Sequence, residues 1–436
     1  VLTASDNVVL KDNVSNIKIF TNQIFYDRNK EKIFTVTNSK VISKNKDNEF
    51  EITADNLEYD KLTNIFYADK NVLIEDKLSK IKILTDKAVY KKNSEIIYTS
   101  GRSKALNESI IIYGNMFQFD KLKNVISAKG EVIIDDTLKN IKIFSDNAYF
   151  FKNENIFKTK NNSKAVDGSV TIEAQDFTYK RNKEILNAKN KVKIRDTNKN
   201  YTIIGNNITY FKFEDKIFSK GLTDVNLNSE YKFISKDVTI LRSENEIFSS
   251  KKTTIDDNKF TRYQLEKFKF FLDSKKLKGE DILVITNYTK TKSDKFFFSD
   301  GIFDLQNNQF VAKNTKILLH KNLFDEERLL SNTTEEKELE RKKRFNNKND
   351  PRIYSVSSSG DNDFTTLNKA IFTSCGFNKD CPAWSIKSNK ILHDKKKKNI
   401  IYEDAVLNIY DYPVFYFPKF FHPDPSVKRR SGFLQP

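Results

Sequence analysis

The chain has 436 residues, of which 38% are hydrophobic, 31% charged and 13% aromatic, with a formal net charge of +17. That length fills two or three ordinary domains and can bury a core, while no stretch approaches the roughly 18 apolar residues of a membrane-crossing helix. The positive excess suits an anionic partner (nucleic acid, a membrane surface or a phosphorylated lipid) or reflects a Lys- and Asn-rich coding composition, and the cations are scattered among 59 acids. The sequence opens at Val1 with no basic-then-apolar leader, as expected of a processed chain or a fragment.

Residues 1–320 read as a repeat. Leu57 and Tyr59, Phe117 and Phe119, Phe177 and Tyr179 recur sixty residues apart, each pair followed by a second aromatic at Tyr90, Phe150 or Tyr210. A looser copy begins near Val238 and Ile240, and a degenerate one surrounds Phe25 and Tyr26. Within each copy a half-repeat of roughly 30 residues relates Leu57 and Tyr59 to Val89 and Tyr90. Fixed periods of this size mean stacked supersecondary units that bury their faces on one another.

The third copy shows which face is which. Val192 and Ile194 alternate with Lys193 and Arg195, the period of a half-buried strand. The same columns hold Val72 and Ile74, Val132 and Ile134, and on the next strand Ile81 and Ile83, Ile141 and Ile143, Tyr201 and Ile203. One apolar face therefore recurs through three copies, and helical spacing does not fit. With 11 Gly and many Asn, Asp and Lys between the runs, the reading is all-β. A closed sandwich core and an open apolar slot need the same alternation.

Residues 321–350 are dense in alternating charge and read as a helix-capable or disordered insertion. Residues 351–411 return to strands: one over 353–358, a turn around Gly360, one running into Cys375, then two more over 386–391 and 400–412. Cys375 and Cys381 leave a five-residue spacer, open to a small disulfide loop or to free thiols. A metal is not expected, because zinc needs about four ligands and only His393 is near. All seven prolines lie at or beyond Pro351. Residues 412–436 are therefore expected to bend at Pro413, Pro418, Pro423 and Pro425, forming an aromatic segment suited to a membrane boundary or to a buried loop. Phosphate-binding glycine loops and GxSxG are absent. His320, His393 and His422 have no sequence neighbour arranged as an orienting partner, and the step from His422 to Asp424 reads as a rigid turn. No enzymatic activity and no cofactor are expected.

Several pieces of the tail together resemble the LptD family of outer-membrane lipopolysaccharide-assembly proteins, at the junction of its periplasmic part with its barrel. They are Asn349 to Ile353, the pair of runs ending at Cys375 and beginning at Cys381, Ile391 to Asp394, Tyr412 to Pro425, and Lys428 to Leu434. The body resembles the OstA-like β-jellyroll that this family shares with LptA and LptC. The resemblance implies an extended slotted jellyroll built from the sixty-residue repeats and ending at a β-barrel, with the barrel beyond Pro436. It implies a lipid-holding slot lined by Leu57, Tyr59, Val72, Ile74, Ile81, Ile83, Phe117, Phe119, Val132, Ile134, Ile141, Ile143, Phe177, Tyr179, Val192, Ile194 and Ile203. It places a barrel junction at Pro413, Pro418, His422, Pro423, Asp424, Pro425, Arg429, Arg430, Gly432 and Phe433. Cysteines of the family also bridge the periplasmic part to the barrel. The implied partners are lipopolysaccharide, an LptA-like bridge, an LptE-like lipoprotein through the barrel, and the outer membrane; no nucleic acid is expected, because the Phe and Tyr columns align with Ile and Val and so look inward. A structural or adhesive β-solenoid with a closed core is the alternative.

Overall fold

A computed structural model describes residues 1–45, 48–289, 293–319, 351–374, 382–424 and 427. Their regular structure is β-strand, apart from three short turns of 3-10 helix at Lys92–Ser94, Lys152–Glu154 and Arg181–Lys183. The chain packs as two compact units, Val1–Ile217 and Phe218–Pro436. The boundary falls inside the strand Lys216–Leu227. The charged stretch 321–350 lies outside the described residues, as do Cys375, Cys381, Pro425, Arg429, Arg430, Gly432 and Phe433.

In the first unit, the strands form an antiparallel meander, two of them interrupted near their middles, Ile96–Ser100 with Ser103–Asn107 and Ile110–Gly114 with Met116–Asp120. The strand Val125–Asp136 pairs with Ile141–Phe151, which pairs with Ile156–Asp167, and so on through Tyr201–Phe211. Local chemistry sets the hairpins. An Asp closes many strands and accepts the next backbone N–H groups: Asp60 from Leu62 and Thr63, Asp76 from Leu78 and Ser79, Asp196 from Asn198 and Lys199. A left-handed residue then turns the chain back, Asn64 (φ 56°), Lys80 (φ 51°) or Asn200 (φ 54°).

Every second strand carries two consecutive left-handed residues at its middle. These are Thr37 and Asn38, Lys70 and Asn71, Gly130 and Glu131, Asn161 and Asn162, Asn190 and Lys191. The ladder skips a register step at each of these pairs. Bulges bend a strand and raise its twist. Stacked about 30 residues apart, they crease the sheet along one line. A row of buried hydroxyls fills the crease, where the ladder leaves carbonyls unpaired. Ser145 Oγ donates within reach of the carbonyls of Lys160 (3.2 Å) and Asn161 (3.0 Å) and lies 3.3 Å from Ser163 Oγ. Thr85 with Ser103 and Thr21 with Ser39 repeat the pair one and two copies earlier.

Because the sheet creases, its two long edges meet. Phe50 begins one strand and Tyr90 ends another, on opposite edges, yet their rings lie 4.7 Å apart. The apolar face is thus wrapped inward into a roll. The second unit uses the same plan. Tyr231 and Phe270, from opposite edges, approach to 5.7 Å, and Lys275 reaches Glu230 at 2.6 Å. Its last strands enclose a core of Ile353, Leu367, Phe372, Ile391, Ile400 and Tyr402.

The tail departs from the expected bend. Tyr412–Pro423 is a strand, paired with Asn399–Ile409. Its prolines are tolerated because, among the described residues, no strand pairs with its other side. Pro418 sits opposite the left-handed Asp404, between the register pairs Phe417 with Ala405 and Lys419 with Glu403.

Candidate functional site

The inward face is where the sequence columns converge. Leu57, Tyr59, Val72, Ile74, Ile81, Ile83, Phe117, Phe119, Val132, Ile134, Ile141, Ile143, Phe177, Tyr179, Val192, Ile194 and Ile203 are all buried, none more than 4% exposed. Their neighbours Lys193 and Arg195 face outward. Aromatic rings run through this interior in ladders: Tyr59 stacks on Phe66 at 4.2 Å and Phe150 on Phe157 at 4.4 Å. In this structure the described interior side chains pack on one another, ring against ring. An acyl chain enters it only if those side chains and the edges around them move.

The seam between the edges is made differently from the rest of the roll. Among the described residues of the first unit, no strand pairing joins the two edges; side chains do. Arg181 on one edge grips Asp136 on the other through two contacts, Nε to Oδ2 at 2.6 Å and Nη2 to Oδ1 at 3.1 Å. Asp136 is fully buried, and its hydrogen bond, with its charge, raises the Arg181 pKa. Sixty residues earlier, Lys121 lies between Glu95 (2.7 Å) and Asp76 (3.8 Å), with its ammonium 4.0 Å from the centre of the Phe50 ring. Lys139 with Glu184 and Lys212 with Asp167 add further ties. Tyrosines bring their hydroxyls to the same line. Tyr59 reaches Ser15 at 3.2 Å and Tyr210 reaches Asp167 at 2.8 Å. The hydroxyl of Tyr179, also buried, makes no hydrogen bond. Burial pushes the Tyr90 and Tyr179 phenols up from their ordinary values.

The second unit carries two shallow grooves on its outer face. One, of about 710 Å³, runs over Gly279 and Gly301 beside the exposed Ile302 and Val311. The other, about 690 Å³, is walled by Leu283, Phe297, Tyr354 and Ile371, with Lys316 over the Phe297 and Tyr354 rings.

At the tail, the strand Tyr412–Pro423 shows large apolar side chains to solvent, Tyr412, Val414, Phe415, Tyr416 and Phe421. Phe415, Phe417 and Phe420 form a chain of rings 5.3 and 5.4 Å apart. Pro413, Pro418, His422 and Pro423 belong to this strand. His422 accepts or donates to Tyr402 Oη at 2.8 Å and lies 5.1 Å from the Phe372 ring; burial holds its pKa below the ordinary value. Asp424 is not part of an isolated turn. Its carboxylate contacts His393 Nε2, and its N–H donates to the Lys398 carbonyl at 2.8 Å.

Sequence reading placed the inward columns and missed three features. The seam ion pairs join turn residues some 45 positions apart, which resemble ordinary solvated turn charges. The crease hydroxyls recur at Ser39, Thr99, Thr159 and Ser219, a sixty-residue column that was legible as a pattern but had no assigned role. The pairing of His393 with Asp424 is set only by the register of the last strands.

Fold and interior together define an all-β roll with an apolar lining and a side-chain seam. No family model matches the chain, and no curated protein matches it. Among solved structures it is similar to LptH, the LptA-homologous periplasmic component of the lipopolysaccharide transport device of Pseudomonas aeruginosa, at 17% identity over 26% of this chain and 85% of that one, with a TM-score of 0.25.

Proposed function

We propose that this chain is a periplasmic lipid conduit of lipopolysaccharide transport, of the kind found in LptD ahead of its outer-membrane barrel. The observation that carries this reading is the roll itself, an apolar face continuous across successive repeats and, among the described residues of the first unit, closed along one side by side-chain contacts without strand pairing. The tail motifs supply the likeness to LptD. Shielding is the mechanism, and no chemical step is involved. Burying an acyl chain contributes about 0.8 kcal/mol per methylene, so a chain of about a dozen methylenes gains roughly 10 kcal/mol, enough to offset parting about two or three buried ion pairs. The sugar head stays in water outside the seam.

Two strands among the described residues suit partners. The strand Leu2–Asp12 pairs only with Ile17–Asp27 among the described residues and exposes Val1, Leu2 and Val9. It suits an LptA-like bridge adding its own strand. The aromatic edge Tyr412–Pro423 suits the approach to a barrel, its LptE-like lipoprotein and the outer membrane. The density of the interior supports a second reading, a structural or adhesive β-solenoid whose core never opens.

Site-specific photocrosslinking separates the two. A photoreactive residue replaces Ile143 inside, and another replaces Lys193 outside, in cells making lipopolysaccharide. The conduit reading expects lipopolysaccharide adducts at 143 and none at 193. A folded protein with no adduct at 143 leaves the closed solenoid.

A further inference from the structure

We infer that the seam of residues 1–217 is a binding site for a phosphorylated amphiphile, whose phosphates take Lys121 and Arg181 from their carboxylates while its acyl chains enter between the edges. The inference rests on the conduit reading and adds to it the chemistry of the head group.

Four observations carry it. The seam is the one join of this unit, among its described residues, that contains no β-ladder, so parting it breaks side-chain contacts and leaves every strand paired. Its cations are arranged for the purpose. Lys121 and Arg181 occupy the same place in successive repeats, on one edge, facing Asp76 and Asp136 on the other. Arg181 already holds a two-oxygen anion in a fork, Nε and Nη2 to the two oxygens of Asp136. A phosphate presents the same pair of oxygens with more charge. The apolar interior lies directly below, since the Lys121 ammonium rests on the Phe50 ring. A head group at this height has its chains inside.

The fourth observation is Tyr179. Its counterpart Tyr210, from the neighbouring half-repeat, uses its hydroxyl on Asp167, whereas the Tyr179 hydroxyl is buried in the Arg181 neighbourhood with no hydrogen-bond partner. Burying such a group unpaired is costly. A third phosphate oxygen gripped by Arg181 would accept from it.

The test uses the full chain and two detergent-dispersed lipids with identical acyl chains, phosphatidic acid and diacylglycerol. The expected result is a preference of about tenfold for phosphatidic acid. Combining Lys121→Gln with Arg181→Gln should erase the preference while diacylglycerol still binds. Tyr179→Phe, which removes only an unpartnered hydroxyl, should reduce it severalfold with the melting temperature unchanged or raised. Removing two outward cations instead, Lys142→Gln with Lys193→Gln, should leave it intact, which separates a site from general attraction to a basic protein. Should the double seam variant fail to fold, Asp76→Asn and Asp136→Asn added to it remove the stranded charges, and Tyr179→Phe stands as an independent reading. Equal binding of both lipids by the native chain, or a preference that survives the seam variants, overturns the seam site alone. Binding of neither lipid overturns the conduit reading together with it.

Discussion

At the scale of single residues, the seam and the crease are where a small change matters most. Asp136 and Asp135 are neighbours in sequence with opposite surroundings. Asp136 is fully buried against Arg181, which is itself 11% exposed, whereas Asp135 faces out toward Lys142, 58% exposed. Asp136→Ala strands a buried guanidinium and should destabilise the chain by about 3–5 kcal/mol. Asp135→Ala should fall within about 0.5 kcal/mol of the native chain. Urea unfolding of the two variants side by side measures the contrast. In the crease, Ser145→Ala leaves carbonyls without their donor and should cost about 1–3 kcal/mol by the same measurement.

His422 gives the tail a pH response whose sign is fixed by burial. Its folded pKa lies below the ordinary histidine value, so the unfolded chain takes up the proton first. Its contribution to stability is complete above about pH 6.5 and is lost as the pH falls toward the folded value. His422→Gln keeps a polar partner for Tyr402 and does not titrate. The stability lost between about pH 7.5 and 5.5 should be smaller in that variant than in the native chain, as read by thermal melts at each pH.

At the scale of elements, the crease explains why a meander becomes a roll. Two left-handed residues in the middle of alternate strands are costly for ordinary side chains, and Asn, the residue that tolerates this region best after Gly, fills many of the positions. Gly130 holds a φ of 78°, and a β-carbon there would meet the Asn115 side chain at 2.8 Å. Gly130→Ala should therefore destabilise by about 1–2 kcal/mol, whereas the same exchange at an unstrained site would be neutral or stabilising. Chemical denaturation checks it. The terminal strand makes the complementary point. Prolines in its sequence suggest a break, yet a strand forms, because an edge strand needs hydrogen bonds on one side only. The number of prolines was legible, but the number of neighbours was not.

At the scale of the whole chain, repetition makes stability a sum of similar local terms. Tyrosines contribute one that can be measured at once. Burial raises the phenol pKa of Tyr90, Tyr179 and Tyr402, and pushes that of Tyr231 up to about 12. A group with a raised folded pKa stabilises fully below its unfolded value, here about pH 10, and loses that contribution as the pH rises further. Exposed phenols ionise without unfolding, so the later part of the tyrosinate absorbance rise above about pH 10, from the buried phenols, should coincide with the loss of far-ultraviolet circular dichroism. An absorbance rise complete before any loss of strand signal would show these phenols to be accessible in the folded chain.

The sequence by itself determined the strands of the repeated body, their period and the face that its aligned columns bury. These follow from interactions between near neighbours: alternation at Val192 and Ile194, Asp and Asn at the hairpins, and a sixty-residue repeat that aligns one copy with the next. It did not determine that the two edges meet, because that depends on how far a row of mid-strand bulges bends the sheet. Only the tertiary structure decided that Arg181 would find Asp136, that Lys121 would lie on Phe50, and that His393 would pair with Asp424. Each of those contacts joins residues distant in sequence, and a charge or a ring carries no mark of its partner until the sheet has closed.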